Sequence, residues 1–280
     1  MRKLKNCSSV PFNSGVSKCP PDWGKMKGAI LVERGQKLPA DLTRDKLEEM
    51  VHADRPGRAY GIITFCEYAP NGGDVATSAV GYGPEKPTGI NARRDEYTLD
   101  NFYPELHAAF ASNLNKSWGV YFFDEDGKLY GTNDGTDVLA PFAMANVYSN
   151  ATPHPTSSAA STMSVSFAHE NAKESIIKWD YLQLDFNPLD QSIVLGLTQV
   201  KVEPTTKDGN AYKIFEPIGG NDLTATYGPL IAAEAEGALV GATAATYNAA
   251  DNTLTVTGGT LKLAAPSVLF EKGIKGIEQL

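Results

Sequence analysis

Apolar positions in this chain either alternate with polar ones or gather in short blocks, the two signatures of β-strands. "GAILVERGQKLP" (28–39) reads as a short buried strand that ends in a glycine-containing turn, and "RAYGIITFCEYAP" (58–70) as an aromatic and β-branched strand stopped by "PNGGD". "WGVYFF" (118–123) and "KLYGT" (128–132) are strands by composition. "LAPFAMANVYSNATPHPTSS" (139–158) gives a strand and a Pro/Ser/Thr connection, and "STMSVSFAH" (161–169) alternates over Met163, Val165 and Phe167. "ESIIKWDYLQLDF" (174–186) begins helically and ends strand-like, and "QSIVLGLTQVKVEP" (191–204) keeps its β character to Pro204.

Two segments carry a helical period. In "DLTRDKLEEMVHAD" (41–54), Leu42, Leu47, Met50 and Val51 share a face and Asp41 or Thr43 can cap. In "YTLDNFYPELHAAFASNLNK" (97–116), Phe102, Leu106 and Phe110 form a stripe with Asp100 or Asn101 as cap. Between them "VGYGPEKPTGINARRDEY" (80–97), rich in Gly and Pro and without a period, reads as a long loop. Residues 1–28 read as an extended N-terminal arm and 29–203 as a β-domain, a barrel or sandwich with two helices. "PTTKDGN" (204–210) marks a boundary. Beyond it "AYKIFEP", "DLTATYG", "ALVGATAATYNAADNTLTVTG" and "TLKLAAPSVLFEKGIKGI" read as short strands, a count that suits a small immunoglobulin-like β-sandwich over 204–280. The expected class is therefore mainly β throughout.

The composition narrows the function classes. Hydrophobic content of 42% and charged content of 21% belong to a folded chain, and a net charge of −8 disfavours nucleic-acid grooves and anionic membrane surfaces. No apolar run reaches the roughly eighteen residues that a membrane helix needs. "MRKLKNCSSVPFN" has a basic start without an apolar run behind it, so it is not read as a secretion signal, and folding in a cytoplasm is expected. Cys7, Cys19 and Cys66 read as reduced thiols, although Cys7 and Cys19 could bridge or share a metal.

The stretch "SWGVYFFDEDGKLYGTNDG" (117–135) raises the question of chemistry most directly. Asp124, Glu125, Asp126, Asp134 and Asp137 could be metal ligands, but a calcium loop needs alternating oxygen ligands and glycine at the sixth position. Counting from Asp124, Gly127 comes fourth, so "DEDG" reads as a hairpin tip and "TNDGTD" as a second turn. His52, His107, His154 and His169 are scattered and read as structural or surface residues. Cys66 reads as a small buried hydrophobe. Glu48 with Glu49 and Glu234 with Glu236 read as solvated acids, and no nucleophile elbow, Walker loop or dinucleotide fingerprint is present. No catalytic residue, cofactor-binding residue or metal ligand is assigned.

One resemblance adds a function. The loop "VGYGPEKPTGINARRDEYTL", the helix "FYPELHAAFASNL", the hairpin "WGVYFFDEDGKLYGT" and the late strands "MSVSFAH" and "LDFNPL" together resemble tail-tube-type virion proteins of tailed bacteriophages and related contractile-injection tubes. The likeness spans residues 28–203, and the remainder resembles the immunoglobulin-like modules that phage virion proteins carry. It implies a non-catalytic subunit whose partners are copies of itself in a ring or tube and other virion proteins. DNA would pass through the lumen without specific binding, and the protein would be assembled in the host bacterial cytoplasm into the virion, with no membrane. Alternatives are a head–tail connector ring, a baseplate element, a capsid decoration, or a hydrolase with an unrecognised site. A glycan-binding adhesin module is a further one, although its segment offers only Tyr212, Phe215, Tyr227, Tyr247 and Phe270 as aromatics and no glycan binding is expected of it.

Overall fold

The computed structural model describes residues 24–133, 138–151, 154–157, 160–188, 190, 196–207 and 209–280. The chain is mainly β, as expected, and divides into two compact units. The first holds residues up to 44 and 61–194, and the second holds Asp45–Tyr60 together with Leu195–Leu280.

The first unit is built on a nine-stranded sheet. Its strands are β1 (Met26–Glu33), β2 (Tyr60–Ile63), β3 (Phe65–Gly72), β6 (Arg93–Leu99), β7 (Trp118–Asp124), β8 (Lys128–Thr132), β9 (Phe142–Ala151), β10 (Met163–His169) and β11 (Trp179–Gln183). The order β11-β8-β7-β9-β10-β6-β3 has a fork at β7. One side of β7 pairs with β1 along its length, from Met26↔Asp124 to Glu33↔Trp118. The other side is shared, Phe122 and Phe123 facing Tyr130 and Leu129 of β8, and Trp118–Val120 facing β9. A strand covered on both faces needs an unbroken apolar run, and all of β7 is buried. Its Tyr121 and Phe123, with Ile30, Phe65, Met144, Met163 and Phe167 from other strands, are among the buried core residues.

Gly24 donates its amide to Asp124 and β1 begins at Met26, so the last residues of the expected 1–28 arm belong to the sheet. Residues 1–23, with Cys7 and Cys19, lie outside the described residues. The strand expected over 58–70 is two, broken at Thr64, which adopts a positive φ of 69°. Helix α2 (Pro104–Ser112) starts from Tyr103 without a side-chain cap. Neither expected cap serves it: Asn101 accepts the Phe102 amide, while Asp100 accepts the hydroxyls of Thr64 and Tyr103. The helix-then-strand reading of 174–186 matches α3 (Ala172–Ile177), capped by Asn171, followed by β11.

In the second unit a five-stranded sheet has the order β14-β15-β13-β12-β16. Its strands are β12 (Thr198–Pro204), β13 (Ala211–Phe215), β14 (Ala244–Asn248), β15 (Thr253–Thr257) and β16 (Ile277–Gln279). The expected boundary at 204–210 falls at a turn within this sheet, because β12 and β13 pair across it from Lys201↔Phe215 to Pro204↔Tyr212. Two segments read as strands are helical: α4 (Thr224–Ala233) and α6 (Pro266–Glu271), with a short kinked α5 (Ala235–Ala238) between them. The sequence of α4, with an internal Gly228 and Pro229, has poor helix propensity. Packing supplies what propensity does not, since Ile231 is fully buried with Ile214, Leu254 and Val256. A Cβ on Gly228 would fall 2.6 Å from the Tyr247 ring. Helix α1 (Arg44–His52), expected in the central domain, folds here instead.

Candidate functional site

The acids of the β7–β8 hairpin turn the chain. Asp124 is fully buried, and its Oδ1 accepts the amides of Asp126 (3.0 Å) and Lys128 (2.9 Å). Its Oδ2 accepts the Gly24 amide (3.2 Å) and the Tyr130 hydroxyl (2.6 Å). Asp126 pairs with Lys128 at 2.9 Å, Glu125 accepts the Lys25 amide, and Gly127 has a φ of 75°. These contacts use every carboxyl of the tip to hold its own loop and the incoming β1. Asp134 and Asp137 lie outside the described residues. Among the described residues, no group of three or more His, Cys, Asp or Glu is placed to hold a metal ion, and no helix is long and apolar enough to cross a membrane.

Of the segment expected as a long loop, residues 80–91 are largely exposed, whereas residues 93–97 belong to the half-buried strand β6. Strands β3 and β6 pair antiparallel from Phe65↔Leu99 to Gly72↔Arg93. Past a break they continue as β4 (Val75–Ser78) and β5 (Lys86–Ile90), paired from Val75↔Ile90 to Ser78↔Lys86. Residues 65–99 are therefore one long hairpin arm. Its outer part pairs with no other described strand and extends about 20 Å over residues 73–78, at roughly 3.3 Å per residue. Exposure on both faces removes the apolar alternation that marks a half-buried strand, which is why this segment reads as a loop. At the tip, Val80 is 90% exposed and Tyr82 is fully exposed, with Val75 at 59%.

The pivot of the arm lies at Gly72 and Gly73, where the Gly73 amide donates to Ala92 O and the Asn91 amide to Asp74 O. Gly72 has a φ of 76°, and a Cβ there would sit 1.9 Å from the Ala92 carbonyl oxygen, a backbone atom that cannot swing away. Replacing Gly72 with alanine should therefore open the pivot. Amide exchange at Gly73 and Asn91 should accelerate about tenfold or more, from the 1–2 kcal/mol cost of a Cβ in this conformation. Exchange in β7 should be unchanged, and equal protection of both regions in the variant would contradict this account of the pivot.

The base of the arm is fixed by aromatic and ionic contacts. Tyr68 stacks on Tyr97 (5.0 Å between centroids), Tyr97 on Phe65 (4.4 Å), and Phe167 meets Phe122 edge-on (5.1 Å). Asp95, on β6, accepts from the Tyr68 hydroxyl (2.8 Å) and Arg93 Nε (3.1 Å), and His169 Nε2 lies 2.7 Å from its other oxygen. His169 Nδ1 lies 2.9 Å from Ser175 Oγ. Burial opposes ionisation of Asp95, but the His169 hydrogen bond and the Arg93 charge outweigh it and hold the carboxyl below its ordinary value. Burial, followed by the Asp95 charge, pushes the Tyr68 phenol up to about 12.

Ser175, His169 and Asp95 have the composition of a hydrolytic triad, but not its use. All three are buried, and Ser175 Oγ donates to the Asn171 carbonyl (3.0 Å), which commits its only proton. A nucleophile must reach a substrate carbonyl with its proton given to the base. The cluster joins β3, β6, β10 and α3 at the root of the arm instead. Read one at a time, the histidines gave no hint of it, because Asp95 and His169 are 74 positions apart.

The remaining candidates separate. His107 contacts Ser149 Oγ (2.8 Å), and His154 is exposed. His52 is buried in the second unit. Glu48 pairs with Lys275 (2.7 Å) and Glu234 with Lys272 (3.5 Å). Cys66 is exposed, contrary to the expected burial, because β3 ends the strand order and, past the buried Phe65, residues 66–72 are exposed on both faces. Of the aromatics considered for sugar contacts, Tyr212 is buried and Phe215, Tyr227, Tyr247 and Phe270 are half-buried. Compared with protein-family models, curated proteins and solved structures, the chain matches none of them.

Proposed function

We propose that this chain is a structural virion protein of tail-tube type. It self-associates into rings that stack as a conduit for DNA and acts by docking onto copies of itself and other virion proteins, without catalysis. The observation that carries this reading is the hairpin arm, an ordered, anchored projection whose outer half has no partner within the described chain and ends in Val80 and Tyr82. Exposed apolar groups on a firmly rooted element are the usual mark of a contact surface. Among the described residues the strand order also ends on β3 and β11, and its side branch on β2, leaving sheet edges that a head-to-tail neighbour can extend. A chain of net charge −8 suits a lumen through which phosphate slides without adhering.

The test is assembly of the full chain, followed by size-exclusion chromatography and electron microscopy. Rings or tubes are expected for the natural sequence. The double variant V80D/Y82D should stay monomeric at concentrations at least about tenfold higher, with an unchanged circular dichroism spectrum, because an exposed tip contributes little to the fold. A natural chain that remains monomeric throughout, or a variant that assembles equally well, would overturn the proposal.

A further inference from the structure

We propose that His52 is a pH-sensitive clasp that holds the Asp45–Tyr60 segment on the second unit at neutral pH and lets it go in mild acid. This segment lies between β1 and β2 in the chain but folds with residues 195–280. Its fastenings include Glu48 with Lys275, Asp54 with the hydroxyl of Ser267 (2.7 Å), and Arg58 with both oxygens of Glu278 (2.7 and 3.1 Å). His52 lies among them at 4% exposure, stacked on Phe270 of α6 at 4.6 Å.

Hydrogen bonding specifies the protonation state of the ring. The Gly276 amide lies 3.1 Å from Nε2, and a main-chain N–H can only donate, so Nε2 must offer its lone pair. The Glu48 carbonyl oxygen lies 2.8 Å from Nδ1 and can only accept, so Nδ1 carries the proton. Both partners are satisfied by one neutral tautomer. A second proton, on Nε2, would meet the Gly276 N–H head-on, and the bond would be lost together with a buried donor's partner.

The charged groups around the ring do not rescue the protonated form. Glu48, on the same helix, favours it, but this carboxyl is shared with Lys275, and Lys275 and Arg58 both oppose a further cation. Burial is the largest influence and moves the His52 pKa below its ordinary 6.5. A group whose pKa is lowered by folding contributes stability that is complete above the unfolded value and is lost as pH falls. The clasp thus weakens as pH drops below 6.5, independently of the assembly reading.

Amide exchange on the full chain, from about pH 7.5 to about pH 5.5, tests this. Protection factors are corrected for intrinsic rates, and β13 of the same unit serves as reference. Protection of residues 45–60 relative to β13 should fall on acidification, by up to about tenfold per pH unit for a single proton. In H52Q the ratio should not change with pH. A constant ratio in the natural chain, or an equal fall in H52Q, would overturn the proposal. The natural chain alone decides if H52Q does not fold.

Discussion

Asp124→Ala is expected to destabilise the first unit by about 3–5 kcal/mol, the range for stranding several buried donors at once. The carboxyl is fully buried and takes hydrogen bonds from Gly24, Asp126, Lys128 and Tyr130. Alanine leaves three main-chain amides and one phenol facing a void at the junction of β1, β7 and β8. Asp124→Asn separates acceptor loss from loss of volume. Its amide nitrogen can serve the Tyr130 oxygen but cannot accept the Gly24 amide, so an intermediate loss of about 1–2 kcal/mol is expected, the cost of one unsatisfied buried donor. Urea unfolding followed by tryptophan fluorescence measures both. An alanine variant within about 1 kcal/mol of the natural chain would show that water or loop relaxation replaces the carboxyl, and the structural role assigned to it would fail.

Asp95→Ala should be comparably damaging, about 3–5 kcal/mol at neutral pH, the range for removing one partner of a buried ionic cluster. It leaves Arg93, His169 and the Tyr68 hydroxyl without their common acceptor at the root of the arm. The acid dependence distinguishes this from simple loss of packing. The folded pKa of Asp95 lies below the ordinary 3.8, so its contribution is complete above that value and is lost as pH falls through the folded pKa. The stability gap between the natural chain and the variant should therefore narrow below about pH 4 and be constant above about pH 5. Chemical denaturation along a pH series reads this directly. A gap that stays constant into acid would assign the loss to volume alone and remove the ionic account of the arm's root.

These two carboxyls show where sequence reasoning reaches and where it stops. "DEDG" announces a turn because its residue types favour one locally, and the structure puts a hairpin there with Gly127 in the left-handed region. The same letters do not say that Asp124 also takes the Gly24 amide, a partner 100 positions away. Asp95 is harder still. Nothing in "ARRDEY" marks one acid as buried, because its burial depends on β10 and α3 arriving from the other half of the unit.

Strand identity along most of the first unit, the helix α1, and the helix-then-strand order of α3 and β11 are all legible in the letters. Each rests on spacing within about ten residues, which the backbone geometry of a strand or helix converts directly into a buried face. Tertiary structure alone decided the rest. It paired two exposed stretches into an arm that carries no apolar period, made helices of weak formers at 224–233 by burying Ile231, and gave residues 45–60 to the C-terminal sheet through His52 and Arg58. Those outcomes depend on contacts between residues far apart in the chain, whose free energy exceeds local propensity and leaves no trace in any short window.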